Sequence, residues 1–293
     1  MIIQDRHSLA NGRLMQHIGF TFKSKDNLTL MGRAWMVPNG QPKGIVNLVH
    51  GLGEHSGRYA HVGEALVDAG YHLVGFDLRG HGLSEGKRGH TPDLNHMMDD
   101  IEIFLKESSY RFGDDIPAFL YGHSLGGLLV LNYGLRRQSN LAGIIATSSA
   151  LKSTTPTPKA KVVLAKLMAK LLPSFTLSNG LETDALSRDA AVVKAYQDDV
   201  YVHDKLSASL GLIILESGKH LLDHADEWEV PLLLMHGTAD RICSYNASQE
   251  FAESIGNNVE LVLWEDYYHE IHNDIGKEKV LSKLIGWLDD RVQ

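Results

Sequence analysis

Three polar side chains, Ser124, Asp240 and His269, occur in an order and in local settings that suit nucleophilic acyl chemistry. Ser124 is the centre of Gly122-His123-Ser124-Leu125-Gly126, a G-x-S-x-G pentapeptide. The short apolar run of residues 118–121 precedes it, and a second apolar run, 128–135, follows. Strand, tight turn and helix in that order would lift the serine hydroxyl clear of the backbone. Gly122, Gly126 and Gly127 leave room for the cramped turn. A serine hydroxyl is a weak nucleophile near neutral pH, so it needs a base, and the base needs an orienting carboxylate. Asp240 closes His236-Gly237-Thr238-Ala239-Asp240 after one apolar run. His269 lies in the loop 266–272 after another, with His272 as an alternative base. Asp77 is a competing carboxylate, but it precedes the serine, and its D-x-R-G-x-G-x-S setting suits bracing of a loop. The oxyanion of a tetrahedral intermediate needs two fixed N–H donors. Leu125 N–H, just after the serine, and Leu52 N–H, in the glycine-rich loop 50–53, are the candidates.

The elements that must hold these loops follow from apolar periodicity. Residues 19–23 and 28–37 read as an opening hairpin with its turn at 25–27. Residues 43–50, 71–76, 117–121, 141–147, 230–236 and 259–264 are continuous apolar runs, as expected of strands covered on both faces. Helical patterns fall between them, near 62–70, 95–110, 128–135, 247–255 and 277–292. Alternating strands and helices predict an α/β fold with a mostly parallel, doubly wound sheet and the antiparallel hairpin at one edge. The alternation stops over residues 151–229, which show helical patterns without a buried strand. The expected organisation is one core, 1–150 and 230–293, carrying a helical cap, 151–229, above the strand ends where such sheets place their sites.

Composition narrows the function further. The 293 residues are 43% hydrophobic and 22% charged, ordinary for a globular chain, with a net charge of −8. That charge argues against nucleic acid as a partner. One cysteine, Cys243, allows no internal disulfide, and no secretory leader or membrane-spanning run is visible, so a cytoplasmic location is expected. Sixteen histidines invite a metal reading, but no H-E-x-x-H or cysteine-rich site is present and none is expected. No dinucleotide fingerprint or P-loop occurs in context, so no cofactor is implied. The cysteine reads as a small buried apolar residue near Asp240.

With these residues in view, the chain resembles the monoacylglycerol lipase and lysophospholipase group of α/β-hydrolases. The likeness is strongest at residues 50–59 (HGLGEHSGRY), 77–86 (DLRGHGLSEG), 122–127 (GHSLGG), 237–243 (GTADRIC) and 268–272 (YHEIH). The resemblance implies the α/β-hydrolase fold and a serine hydrolase acting on esters of one long acyl chain. It also implies that Glu54, Arg58, His272 and Tyr196 lie near the polar end of the pocket. From spacing alone, Glu54 and Arg58 could equally be an i,i+4 pair at a helix start. Residues 159–175 put Val163, Leu164, Leu167, Met168, Leu171 and Leu172 on one face, with Lys159, Lys161, Lys166 and Lys170 elsewhere. Two uses are open for that face: burial on the core, which is the preferred reading, and transient docking on a membrane surface. The expected reaction is hydrolysis of a monoacylglycerol through an acyl-enzyme. The alternatives are a lysophospholipase or short-chain carboxylesterase, an acyltransferase, and an idle hydrolase-like binding protein.

Overall fold

Residues 3–8, 14–38, 40–137, 140–155 and 158–292 are described by the structure, a computed structural model. The chain opens with three antiparallel strands, β1 (Ile3–Ser8), β2 (Leu14–Lys23) and β3 (Thr29–Met36). The expected hairpin is therefore longer, and β1 is an additional edge strand. Then come β4 (Ile45–Val49), α1 (Ala60–Asp68), β5 (His72–Phe76), α2 (Leu94–Phe112), β6 (Ala118–His123), α3 (Leu125–Arg136) and β7 (Gly143–Thr147). Between β7 and the next strand of the large sheet lie α4 (Lys159–Leu171), β8 (Thr176–Ser178), α5 (Ala190–Asp198), β9 (Lys205–Ser207) and α6 (Ala208–Asp223). Among the described residues, the two short strands β8 and β9 pair only with each other. The chain closes with β10 (Leu232–Gly237), α7 (Tyr245–Ile255), β11 (Val259–Trp264) and α8 (Lys277–Asp289).

The large sheet has nine strands in the order β1-β2-β3-β5-β4-β6-β7-β10-β11, parallel from β5 through β11 and antiparallel across β1, β2, β3 and β5. This is an α/β-hydrolase fold with a helical cap insertion. The continuous apolar runs are explained by two cores, one on each face. Val46, Leu48, Phe119, Tyr121, Leu233 and Met235 pack against α1 and α8, with Trp287 of α8 buried among them. Their neighbours Ile45, Val49, Leu120, Leu232 and Leu234 point the other way, toward α2, α3, α6 and α7. Each inner strand thus buries both faces, which removes the alternation that a half-exposed strand would show.

Close packing at the tip of β6 fixes the site. A Cβ on Gly126 would lie 2.0 Å from the Val49 carbonyl oxygen, and one on Gly122 would lie 2.3 Å from the Gly126 carbonyl oxygen. These neighbours are backbone and cannot rotate away. We expect Gly126→Ala to lower the unfolding free energy by about 1–3 kcal/mol. Urea titration monitored by tryptophan fluorescence checks this, and an unchanged midpoint would contradict it.

Candidate active site

Ser124 sits between β6 and α3 with φ 54 and ψ −116, a conformation that a side-chain-bearing residue rarely adopts. Three backbone hydrogen bonds hold it there. Its N–H donates to Thr147 O at 2.9 Å, and its carbonyl accepts from Leu128 N at 3.0 Å and Ala150 N at 3.1 Å. Leu125 begins α3, so its N–H is among those at a helix N-terminus that have no intrahelical acceptor. The loop after β4 approaches from the other side. A Cβ on Gly51 would lie 3.2 Å from Ser124 Cβ, and Leu52 lines the same cavity as Ser124.

Asp240 and His269 meet at the ends of β10 and β11. His269 Nδ1 lies 2.7 Å from Asp240 Oδ2, both groups are buried, and His269 borders the cavity with Ser124. With Nδ1 committed to Asp240, Nε2 is the nitrogen left for proton exchange. The other Asp240 oxygen accepts from the backbone N–H of Ile242 at 2.7 Å and of Cys243 at 3.0 Å. His236 adds a contact that spacing does not reveal. Its Nε2 lies 3.0 Å from Asp240 Oδ2 and its Nδ1 lies 2.8 Å from Ser248 Oγ. Burial acts to raise the Asp240 pKa, but His269 and then His236 outweigh it and hold the carboxyl below its usual range. Burial likewise opposes charge on His269, yet the Asp240 carboxylate prevails and its pKa is raised above 6.5.

His272 is set apart from His269. It is enclosed behind the cavity wall, stacked on Tyr59 with ring centroids 4.8 Å apart, and it does not border the cavity. Burial, followed by the neighbouring His123, drives its pKa well below 6.5. Asp77 braces a loop. It accepts from Arg33 Nη1, Ser56 N, Ser56 Oγ and Leu83 N at 2.6–2.9 Å, on the face of the sheet ends occupied by β3 and β5.

The cavity occupies about 480 Å³, with Leu52, Leu125, Leu181, Leu186, Ile214 and Ile242 in its apolar lining. Its polar lining includes Glu54, Glu270 and Tyr196. Arg58 stands behind that wall. It donates to Glu54 Oε2 at 2.6 Å and grips both oxygens of Glu270 at 2.7 and 2.8 Å, with the Tyr196 ring 4.7 Å from its guanidinium carbon. The i,i+4 pairing expected of Glu54 and Arg58 is therefore present, and it forms part of the pocket wall. Glu54 also accepts from Gly51 N at 2.6 Å and Tyr59 Oη at 2.8 Å. Glu270 was not singled out from the sequence; an acid beside His269 reads as a solvated loop residue until Arg58, 212 residues away in sequence, is brought beside it.

Cys243 is buried at the cavity edge and within hydrogen-bonding reach of Ser124; burial pushes its thiol pKa well up. Asp240, Cys243 and His269 form a cluster of metal-ligand type among the described residues, but both Asp240 oxygens already accept hydrogen bonds. That donor set suits proton transfer better than metal binding.

The sheet order and the turn at Ser124 are those of the α/β-hydrolase fold, and comparison with known proteins places the chain in a family of serine-hydrolase type. The family model described as serine aminopeptidase, S33, matches residues 40–276. An uncharacterized abhydrolase domain-containing protein of Dictyostelium discoideum is 38% identical over 92% of this chain, which spans 29% of that relative's length. The monoacylglycerol lipase of Mycolicibacterium smegmatis is 32% identical over 86% of this chain and 90% of its own. The crystal structure of Paleococcus ferrophilus monoacylglycerol lipase superposes with a TM-score of 0.81 at 36% identity, covering 90% of this chain and 99% of that one. This chain belongs to the monoacylglycerol lipase and lysophospholipase-like family of α/β-hydrolases.

The buried carboxylates set an acid limit on stability. Burial acts to raise Glu54 and Asp77, but Arg58 and Arg33 lead the groups that hold each at about 2, below ordinary values of 4.5 and 3.8. Their stabilisation is therefore complete above those ordinary values and is lost as pH falls toward the folded-state values. Unfolding free energy should drop by on the order of a few kcal/mol between about pH 5 and pH 2. Urea titrations across that window should show a shallower slope for Asp77→Asn; parallel slopes would contradict the assignment.

Proposed function

We propose that this protein hydrolyses carboxylic esters of a single long acyl chain, most simply a monoacylglycerol to glycerol and a fatty acid. The observation that carries this reading is the serine at a strained strand–helix turn, sharing one largely apolar cavity with a His269–Asp240 pair 2.7 Å apart. Ser124 Oγ attacks the acyl carbonyl while His269 Nε2 takes its proton. The Leu52 and Leu125 N–H groups hold the oxyanion, and the proton passes to the departing alcohol. Water, deprotonated by His269, then attacks the acyl-serine ester and releases the acid. Asp240 stabilises the imidazolium at both steps. Glu54, Tyr196 and Glu270 face the alcohol half, with Arg58 fixing the two carboxylates and His272 packed behind them. Residues 151–229 form the cap domain over a core of 1–150 and 230–293.

The apolar face of α4 supports transient membrane contact. Burial of that face was the preferred expectation, but Val163, Leu164, Leu167 and Leu171 are each more than half exposed because α4 packs chiefly on α6. Exposed Lys166 and Lys170 lie on the same helix, which suits an anionic lipid surface. No helix among the described residues is long and apolar enough to cross a membrane.

A fluorophosphonate probe should label the protein but not Ser124→Ala, and the variant should lose ester hydrolysis; labelling of both would remove Ser124 from its role. Turnover of monooleoylglycerol should exceed that of lysophosphatidylcholine and of an aminoacyl p-nitroanilide. His269 must be neutral to act, so kcat/KM should rise with pH through an apparent pKa above 6.5. In Asp240→Asn that limb should move to lower pH and kcat should fall by about 1,000- to 10,000-fold. Flotation at low salt should recover the protein with anionic vesicles, and its absence from the vesicle fraction would exclude membrane contact.

A further inference from the structure

The polar wall of the cavity has an unequal charge count. Glu54 and Glu270 share one guanidinium, that of Arg58, and two carboxylates against one cation leave one negative charge uncompensated. All three side chains are at least nine-tenths buried, so water does little to screen the excess. Asn273 Nδ2 donates to Glu270 Oε2 at 2.8 Å, and Tyr59 and Gly51 donate to Glu54, but these donors are neutral. The nearby histidines do not make up the deficit. Burial, ahead of the charge of His269, pushes His123 down to about 4, and burial also lowers His50. Asp240 adds a further carboxylate beside His269. The other charged groups bordering the cavity, Lys152, Arg241 and Glu182, stand at its solvent edge. Lys152 and Arg241 are about half exposed and paired with Glu250 and Asp184.

We propose that Glu270 is a specificity-determining residue: with Glu54 it leaves the alcohol end of the cavity net negative, which admits neutral or cationic leaving alcohols and disfavours anionic, phosphate-bearing ones. The inference rests on the ester-hydrolase reading above and refines its substrate class. Glu270 reaches the alcohol end because it directly follows His269, the group that must hand a proton to the departing oxygen. Its side chain is held there bidentately by Arg58, and its own N–H donates to Leu186 O of the cap segment at 2.8 Å. A phosphate brought beside this wall meets an unscreened like charge. At an effective dielectric near 20 and roughly 8 Å, one such charge is worth about a tenfold change in rate or more. Removing it would leave Arg58 with a single carboxylate and the wall neutral.

The test uses substrates with a common acyl group, so that deacylation is identical and the ratio of kcat/KM values reads the alcohol alone. For 1-octanoylglycerol against its 3-phosphate, the wild-type protein should favour the neutral ester, and Glu270→Gln should narrow that ratio about tenfold. A purely structural role would slow both esters together and leave the ratio unmoved, and that result overturns the inference while leaving ester hydrolysis intact. Hydrolysis of neither ester by the wild-type protein overturns the ester reading, and this inference with it. Should Glu270→Gln fail to fold, the wild-type protein alone decides. Octanoylcholine should be cleaved about tenfold faster, in kcat/KM, than its uncharged isostere 3,3-dimethylbutyl octanoate, and equal rates overturn the proposal.

Discussion

The candidate site depends on one backbone constraint: β6 must end, and α3 begin, at a serine held at φ 54. Such a residue costs about 1–3 kcal/mol and persists only where its surroundings over-determine it. Here they do so from both neighbouring strands. β7 supplies the Thr147 carbonyl that accepts the Ser124 N–H, and β4 brings the Val49 carbonyl against the one face of Gly126 that has no side chain. Each hydrogen bond contributes about 0.5–1.5 kcal/mol net, so the three at Ser124 are enough to offset the strain. The site sits at the centre of the sheet for the same reason. Only an interior strand has a neighbour on each side to hold its turn.

The proposed chemistry also requires that charge be carried through a region almost free of water. Of the buried histidines, His50, His81, His123 and His272 all have depressed pKa values, with burial the leading cause, and His269 alone among this group is raised. The difference lies in the partner. His269 faces a carboxylate whose remaining lone pairs are occupied by Ile242, Cys243 and His236, so the charge is fixed in place before any substrate arrives. An ion pair assembled in this way needs no reorganisation when the imidazolium forms. His123, 4.8 Å from His269 by ring centroids, sits equally deep with Nδ1 on Thr147 Oγ1 rather than on a carboxylate, and burial pushes its pKa down to about 4.

What could be read from the sequence divides along physical lines. Inner strands such as β6 and β10 announce themselves because both faces are buried and the apolar run is unbroken. The loops carrying Ser124, Asp240 and His269 follow from their positions after those strands. β1 escapes because Gln4-Asp5-Arg6-His7 has no apolar pattern, and among the described residues it pairs only with the edge of β2. Glu270 and His236 escape for a different reason. Each adjoins a recognisable motif but takes its meaning from a partner elsewhere in space, Arg58 for one and Asp240 with Ser248 for the other. Glycine spacing reveals a turn, whereas a charge imbalance appears only once distant side chains have been brought together. Arg58 and His272 show the same limit. The family resemblance implies that both lie near the polar end of the pocket, but neither side chain borders the cavity.

The cap illustrates how a helical pattern can be right while its use is misjudged. The period of α4 marks one apolar face, and burying such a face is the ordinary outcome for a helix in a globular protein. The seam between cap and core is made elsewhere, by His203 N–H on the Gly53 carbonyl at 2.9 Å, His55 with Asp199 at 2.9 Å and Arg188 with Asp274 at 2.9 Å. These ties anchor the α5 side of the cap on the loops that surround the cavity. α4 rests on α6, so its outward residues meet no core, and Phe175 and Leu177, which follow it in the chain, are exposed as well. Apolar side chains exposed in this number are unfavourable in water alone. Their exposure becomes favourable where the surroundings are themselves apolar, and the substrate proposed above, with one long acyl chain, would be drawn from such surroundings. On the proposed function, the cap would thus serve both ends of the substrate, its polar ties holding it on the loops around the cavity and its exposed apolar face being free to meet a lipid surface.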